Sequence, residues 1–308
     1  MSEPRAGGTR ALAWACLFTI YVVWGTTYLA IRVVVQEMPP FAAAAMRFSS
    51  AGLVLALLAL VFERAHGLPT ARQWRDYGIA GVCFLAGGNA GVMWAEQRVP
   101  SGLAALLVAT VPLWVTFLDG LRPGGQRWTR RVWLGVLLGF IGVVFVARPQ
   151  GGAEGGHWFG IAALQVASLL WTFGALFVQS LPQKLPTFWA TAVEMIVGSV
   201  FLLIESLVAG EDLHRFAVAS SDAWYGLAYL AVFGSLIGFT AFAYALHELP
   251  ASTVGTYAYV NPVVAVLLGR LFLREPLAGS TLVGAALIVV AVVVTTHRSV
   301  PKGGSLES

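Results

Sequence analysis

Residues 249–276 read LPASTVGTYAYVNPVVAVLLGRLFLREP, and residues 99–120 read VPSGLAALLVATVPLWVTFLDG. Each stretch begins with an apolar residue, a proline and small residues, and each carries a second proline inside an otherwise uninterrupted apolar run. The two prolines are 12 residues apart in both stretches, at Pro100 and Pro112 in one and at Pro250 and Pro262 in the other. We therefore predict that the two stretches are equivalent helices of a duplicated chain.

The composition identifies a lipid bilayer as the solvent of this chain. Of its 308 residues, 58% are hydrophobic and 11% are charged, with a mean hydropathy of +0.77, whereas a soluble domain carries about 25% charged residues. Apolar runs of about 20 residues, enough to cross a hydrocarbon core as a helix, recur along the whole length. A membrane barrel needs alternating apolar and polar residues, which runs such as LVLALLALVF lack. We predict an all-α membrane protein.

Hydropathy and the positions of proline, glycine and charged residues divide the chain into ten predicted helices. They cover residues 11–34, 41–62, 77–96, 101–119, 131–148, 158–180, 187–208, 223–246, 251–272 and 278–297. The first apolar run is too long for a signal peptide and is interpreted as a retained helix. Residues 301–308, PKGGSLES, are interpreted as a tag remnant. Both cysteines, Cys16 and Cys83, fall within predicted helices, so no disulfide, metal site or cofactor is expected.

The basic residues indicate how the helices cross the membrane. The net charge is +4, and in a membrane protein such an excess marks cytoplasmic loops more often than a nucleic-acid partner. With the N-terminus inside, twelve Lys and Arg lie on the cytoplasmic side and six on the other, while Arg47 lies within a predicted helix. We therefore expect both termini in the cytoplasm and no nucleic-acid partner.

The duplication extends over the whole chain. At an offset of 147 residues, tryptophan, proline and an ionisable residue recur, as Trp24 and Trp171, Pro39 and Pro186, and Arg47 and Glu194. Five helices (residues 11–148) therefore match five helices (residues 158–297). Because five is odd, the second copy crosses the membrane in the opposite sense. Such inverted repeats are common in secondary transporters, whose substrate site lies near the membrane midplane between the repeats.

These features resemble a known family over about residues 11–297. Two five-helix copies, WGTTYLAIR at residues 24–32, Arg47-Phe48, and LFLREPL at residues 271–277 look like the EamA-type members of the drug/metabolite transporter superfamily. The resemblance implies a bacterial inner-membrane exporter of small metabolites, and the aromatic richness is similar to that of the YddG-type amino-acid exporters. It also implies alternating access around a cavity walled by helices 1, 3, 4, 6, 8 and 9. The acidic REP ending of helix 9 has no counterpart after helix 4.

Aromatic and polar side chains at helical spacing are the candidates for the wall of this cavity. Aromatic faces beside a few amide and hydroxyl groups suit an amphipathic small molecule, and an ammonium group could rest over a tryptophan ring. The alternative is lipid contact or interfacial anchoring. The candidates are Trp24, Tyr28, Asn89, Met93, Trp114, Gln165, Trp171, Tyr244, Tyr257 and Asn261.

Two further pairs of residues lie inside predicted helices. Pro112 and Pro262 each remove a backbone donor and free a carbonyl four residues earlier, so they are candidate hinges, unless neighbouring helices satisfy the carbonyls. Arg47 and Glu194 could form a salt bridge across the pseudo-axis, or Glu194 could couple transport to protons. Because both lie near the starts of their helices, the simpler interpretation is that they extend to the membrane interface.

Other classes of function fit the sequence less well. His247-Glu248 lacks the second histidine of a zinc protease motif, and no G-x-S-x-G motif is present. The glycine-rich AGGNAG stretch at residues 86–91 follows no strand and is interpreted as close helix packing. A channel would need a filter-like motif or a ring of charges. We expect a monomeric, cofactor-free exporter of amino acids, aromatic or other neutral ones among them; cationic drugs and nucleotide-related compounds are the alternative substrates.

Overall fold

The computed structural model describes residues 6–121, 130–146, 156–274 and 279–296, and all regular secondary structure in these residues is helical. Seven helices there are long and apolar enough to cross a membrane, and three more apolar helices are shorter. This confirms the predicted all-α membrane fold. The ten spans are α1 (Ala6–Glu37), α2 (Pro40–Phe62), α3 (Ala71–Glu96), α4 (Ser101–Leu121), α5 (Arg130–Val146), α6 (Gly156–Ser180), α7 (Thr187–Val208), α8 (Ser221–Glu248), α9 (Ala251–Val254 and Tyr257–Phe272) and α10 (Gly279–Thr296).

The packing of the helices follows the duplication. Equivalent helices lie against each other: α2 against α7, α4 against α9, and α5 against α10. The other contacts show the same symmetry. Helix α1 packs on α8 and α9, and its equivalent in the second repeat, α6, packs on α3 and α4. The two five-helix repeats are therefore related by a twofold pseudo-axis, and the interface between them runs through the centre of the protein.

Two glutamates show that α2 and α7 are antiparallel. The carboxylate of Glu63, just after α2, accepts the backbone N–H groups of Phe188 and Trp189 at 2.9 Å each, at the start of α7. Glu211, which is 148 residues later in the chain, accepts those of Phe41 and Ala42 at 2.9 and 2.8 Å, at the start of α2. Each carboxylate satisfies two free donors and lies at the positive end of a helix dipole. The predicted inversion of the second repeat follows directly from these reciprocal caps.

We expect Glu63→Ala and Glu211→Ala each to lower the free energy of unfolding by about 1 kcal/mol, the usual contribution of a helix N-terminal cap. The two caps are about 30 Å apart along the helices, so the double variant should show the sum of both effects. The thermal midpoint of the purified protein at one heating rate measures this. Asp76→Ala is the control, because Asp76 pairs with Arg72 and Arg75 of its own helix and caps no helix of the other repeat among the described residues. Unchanged midpoints in both glutamate variants would contradict the capping role.

Helix α3 begins six residues before its predicted start. Thr70 and Gln73 form a capping box, in which the Thr70 hydroxyl accepts the Gln73 N–H and the Gln73 side chain accepts the Thr70 N–H. This cap extends the helix through the polar ARQWRD sequence, which hydropathy alone assigns to a loop.

Helices α3 and α8 each contain a π-helical segment at equivalent positions. The segments are Val82–Asn89 and Leu230–Ile237, each of 8 residues and offset by 148. Such segments are rare and are frequently found at functional sites. Glycines at and beside the first segment confirm the predicted close packing: a Cβ on Gly81 would lie 2.1 Å from the Glu194 carbonyl oxygen, and one on Gly87 would lie 2.6 Å from Leu170.

The interruptions in α4 and α9 are not equivalent, although the prolines are. In α4 the helix breaks at residues 109–110, and Pro112 is the second residue of the next segment, Val111–Leu121. In α9 the break is at residues 255–256, and Pro262 lies within the segment Tyr257–Phe272. At the break in α4, the carbonyl of Leu107 accepts the Thr110 hydroxyl at 2.7 Å. The role of both prolines as hinges stays a prediction.

Candidate functional site

A cavity lies between the two repeats, near the middle of the helices. The space between its lining atoms is about 570 Å³, including the part that opens to solvent. All six predicted wall helices contribute, and α2 adds Arg47. Six of the ten predicted lining residues are at this cavity: Trp24, Tyr28, Asn89, Trp171, Tyr257 and Asn261.

An aromatic cluster forms one side of the cavity, and Trp24 is at its centre. The Trp24 ring lies 5.4 Å from its repeat equivalent Trp171, 5.1 Å from Tyr257 and 5.3 Å from Phe239, all edge to face. Its indole N–H donates to the carbonyl of Gly234 at 3.1 Å, in the π-helical segment of α8. The two repeats are thus joined through one buried tryptophan. The duplication in the sequence does not point to Phe239, because Gly91 occupies the equivalent place in α3 at the 148-residue offset.

Arg47 is buried, with 2% of its surface exposed, and lines the cavity. Its Nε donates to the Ser235 hydroxyl at 2.8 Å, and its guanidinium lies 4.4 Å from the centre of the Phe48 ring. Its Nη1 has no hydrogen-bond partner among the residues that the structure describes. The interpretation that Arg47 extends to the membrane interface is therefore wrong: the guanidinium is held inside the protein by the π-helical segment of α8.

Two asparagines line the cavity with different degrees of hydrogen bonding. The side-chain oxygen of Asn89 is buried and has no partner within the described part of the chain. The Asn261 amide, oriented so that its nitrogen donates, bonds to the carbonyls of Tyr21 at 3.1 Å and Tyr257 at 3.2 Å. Asn261 therefore joins α1 to α9, and a hydrogen bond of 2.6 Å between the hydroxyls of Tyr21 and Thr256 reinforces this contact.

Four predicted lining residues lie away from the cavity, contrary to the expectation from sequence. Met93 is fully buried in the core and Tyr244 packs partly buried against it. Gln165 accepts the Trp114 indole N–H at 3.3 Å and donates to the carbonyl of Leu107, also at 3.3 Å. Gln165 and Trp114 therefore stabilise the break in α4. Helical spacing had placed these residues on the correct side of the helix, but on turns that face a neighbouring helix.

Glu194 lies at a different cavity from Arg47, so the predicted salt bridge is not formed. Its side chain is 4% exposed, and the interpretation that it extends to the membrane interface is wrong for this residue too. It lines a second cavity between α3, α6, α7 and α8, together with Tyr77, Lys184 and His247. No group of three or more metal-binding side chains occurs in the described residues.

Ten helical spans in two inverted repeats around a central cavity define the architecture of a secondary transporter. The model of the EamA-like transporter family matches residues 11–148 and 158–297, and the chain belongs to this family. The chain is 37% identical over 285 residues to the uncharacterized inner membrane transporter YedA of Escherichia coli (strain K12), covering 92% of this chain and 90% of that protein.

More distant relatives share the same extent. The uncharacterized transporter YvbV of Bacillus subtilis (strain 168) is 25% identical over 289 residues, covering 91% of this chain and 90% of that protein. A solved crystal structure that is 21% identical covers 92% of this chain and 96% of its own, with a TM-score of 0.64, which shows the shared fold. The protein is a membrane transporter.

Proposed function

We propose that the protein exports amino acids, aromatic or other neutral ones among them, across the bacterial cytoplasmic membrane. The observation that carries this proposal is a pair of side-chain atoms in the central cavity that have no hydrogen-bond partner within the described part of the chain: Nη1 of Arg47 and the side-chain oxygen of Asn89. The first can donate to a carboxylate and the second can accept from an ammonium group. The aromatic faces of Trp24 and Trp171 suit an apolar side chain and can also contact a cation.

The charge in the cavity favours amino acids over the alternative substrates. A purely cationic drug would be repelled by the buried guanidinium of Arg47, whereas a zwitterion places its carboxylate there. Nucleotide-related compounds also offer an anion and an aromatic ring, but the cavity has one arginine and no second cation among its lining residues. A single carboxylate therefore matches the site better than a phosphate of higher charge.

Transport would proceed by alternating access, in which the repeats 11–148 and 158–297 rock around the central cavity. The contacts that would break and re-form are those that cross the repeat interface: Trp24 with Gly234, Tyr21 with Thr256, and Arg47 with Ser235. We propose that the protein works as a monomer in the inner membrane, with both termini in the cytoplasm. A protease-accessibility experiment that found the C-terminus outside would overturn this orientation.

The test of the proposed function is saturable, stereoselective exchange of labelled amino acids by the purified protein in proteoliposomes. We expect Trp171→Ala and Asn261→Ala each to reduce substrate affinity or rate about tenfold, since each removes a contact of about 1–2 kcal/mol. Trp14→Ala is the matched control, because Trp14 is 47% exposed on α1. Unchanged transport in both cavity variants would show that the site is wrong. If the protein exchanged cations or nucleotides but no amino acids, the proposed substrate class would be wrong.

A further inference from the structure

The second cavity lies on the other side of the aromatic cluster from the central one. It measures about 430 Å³, including its open part, and lies where the ends of α6 and α8 meet the starts of α3 and α7. Phe242 and Phe84 line it, and both rings also contact Trp171 of the central cavity, at 5.3 and 4.9 Å between ring centres. One layer of aromatic rings therefore separates the two cavities.

Glu194 is the acidic residue of this second cavity, and its carboxyl is left unpaired. It makes no hydrogen bond or ion pair with any residue that the structure describes, although it lines the cavity. The three ionisable groups that line this cavity with Glu194 each have a hydrogen-bond partner of their own. Tyr77 of α3 accepts the N–H of Leu185 at 2.9 Å, Lys184 donates to the carbonyl of Val178, and His247 of α8 contacts Glu248 at 3.0 Å.

Two further charged groups near α7 have partners away from Glu194. Arg47 of the neighbouring helix α2 is bonded to Ser235 at the central cavity, and Glu63 caps the start of α7. An isolated carboxylate within a membrane helix is energetically costly, and binding one proton removes this cost. A metal cation would need several oxygen ligands, whereas Glu194 is the one carboxyl among the lining residues of this cavity.

We propose that Glu194 is a proton-binding site that couples proton entry to substrate export, which rests on the proposed function. Two features position the site for coupling. Glu194 and Arg47 occupy equivalent places in the adjoining helices α7 and α2, so proton and substrate carboxylate would bind at related points of the two repeats. Phe242 contacts both Trp24 and Trp171, at 5.2 and 5.3 Å, and so joins the proton cavity to the substrate cavity. A substrate-dependent shift of this ring would change the surroundings of Glu194.

The experiment compares wild type, Glu194→Gln and the control Glu205→Gln in proteoliposomes. Glu205 lies on the same helix, and one of its carboxyl oxygens is buried with no hydrogen-bond partner among the described residues, but it lies outside the second cavity. Two assays use tritiated phenylalanine as the probe: exchange at equal pH on both sides, and accumulation driven by a pH gradient. We expect Glu194→Gln to lose gradient-driven accumulation at least tenfold while exchange continues, and Glu205→Gln to accumulate like wild type.

Accumulation by Glu194→Gln at the wild-type level would overturn the proposal. So would equal losses of accumulation in Glu194→Gln and Glu205→Gln, or wild-type accumulation that does not depend on the pH gradient. In these cases continued exchange would leave the proposed function intact. If wild type exchanged no phenylalanine, infrared spectra of the purified protein would still test the proton site. Glu194→Gln should lack a protonated-carboxyl band that titrates in wild type and in Glu205→Gln. Persistence of this band in Glu194→Gln would contradict the proposed proton site.

Discussion

Replacing Arg47 with glutamine is expected to weaken substrate binding about 30-fold or more. Removing one partner of a buried, hydrogen-bonded charge pair costs about 2–5 kcal/mol, and 1.4 kcal/mol corresponds to a factor of ten. The effect should be large because Arg47 is the cation of the central cavity and one of its N–H groups is free for the substrate. Titration of tryptophan fluorescence with the transported amino acid measures the dissociation constant, since Trp24 and Trp171 line the same cavity.

Two further variants distinguish charge from geometry at this position. Arg47→Lys keeps the charge but loses the planar guanidinium, so we expect intermediate affinity. Ser235→Ala keeps Arg47 and removes its 2.8 Å anchor, so we expect a loss of about tenfold or less. An amide or ester of the amino acid has no carboxylate and carries only the ammonium charge, so it should bind Arg47→Gln at least as tightly as wild type. If Arg47→Gln bound the free amino acid as tightly as wild type, the assignment of the carboxylate site would be wrong.

The substitution Gly81→Ala is expected to destabilise the fold by about 3 kcal/mol or more. A Cβ on Gly81 would lie 2.1 Å from the carbonyl oxygen and 2.7 Å from the carbonyl carbon of Glu194. These are backbone atoms of α7, so no side-chain rotation can relieve the clash and the two helices must separate. Overpacking of a well-packed interior typically costs about 1–3 kcal/mol, and a backbone contact should lie at the upper end. A lower thermal midpoint of the purified protein measures the loss.

Gly78→Ala is the matched control for this prediction. Gly78 is one turn earlier on α3, and its added Cβ would meet the side chain of Val197 at 3.2 Å, which can shift by a few tenths of an ångström. The intrinsic gain from replacing a helical glycine with alanine is the same at both positions. Gly78→Ala should therefore be near neutral. Equal midpoints for the two variants would contradict the tight contact between α3 and α7.

Much of the fold could be predicted from the sequence because its signals are local. Apolar runs of membrane-spanning length identify the helices without knowledge of their partners. The recurrence of tryptophan and proline at a constant offset reveals the duplication. The odd number of helices in each copy then requires the inversion. The same local signals found Trp24, Trp171, Tyr257 and Asn261, since aromatic and amide side chains in the middle of an apolar run are conspicuous.

The rest of the site depends on contacts between distant helices. The caps by Glu63 and Glu211 occur at a constant offset, but each needs a helix start from the other repeat. The π-helical segments follow no sequence pattern that distinguishes them from α-helix. Spacing places Gln165 and Met93 on the cavity side of their helices, yet both lie on turns that pack against a neighbouring helix.

The sequence by itself determined an all-helical membrane protein of two inverted five-helix repeats, because hydropathy and duplication are properties of the chain alone. Only the tertiary structure decided that Arg47 belongs to the central cavity and Glu194 to a second one. The two residues are equivalent in sequence, and the reason for their separation is physical. A side chain buried at the interface between repeats takes its surroundings from the opposite repeat, and the two repeats differ where Phe239, Ser235 and Tyr257 replace their counterparts.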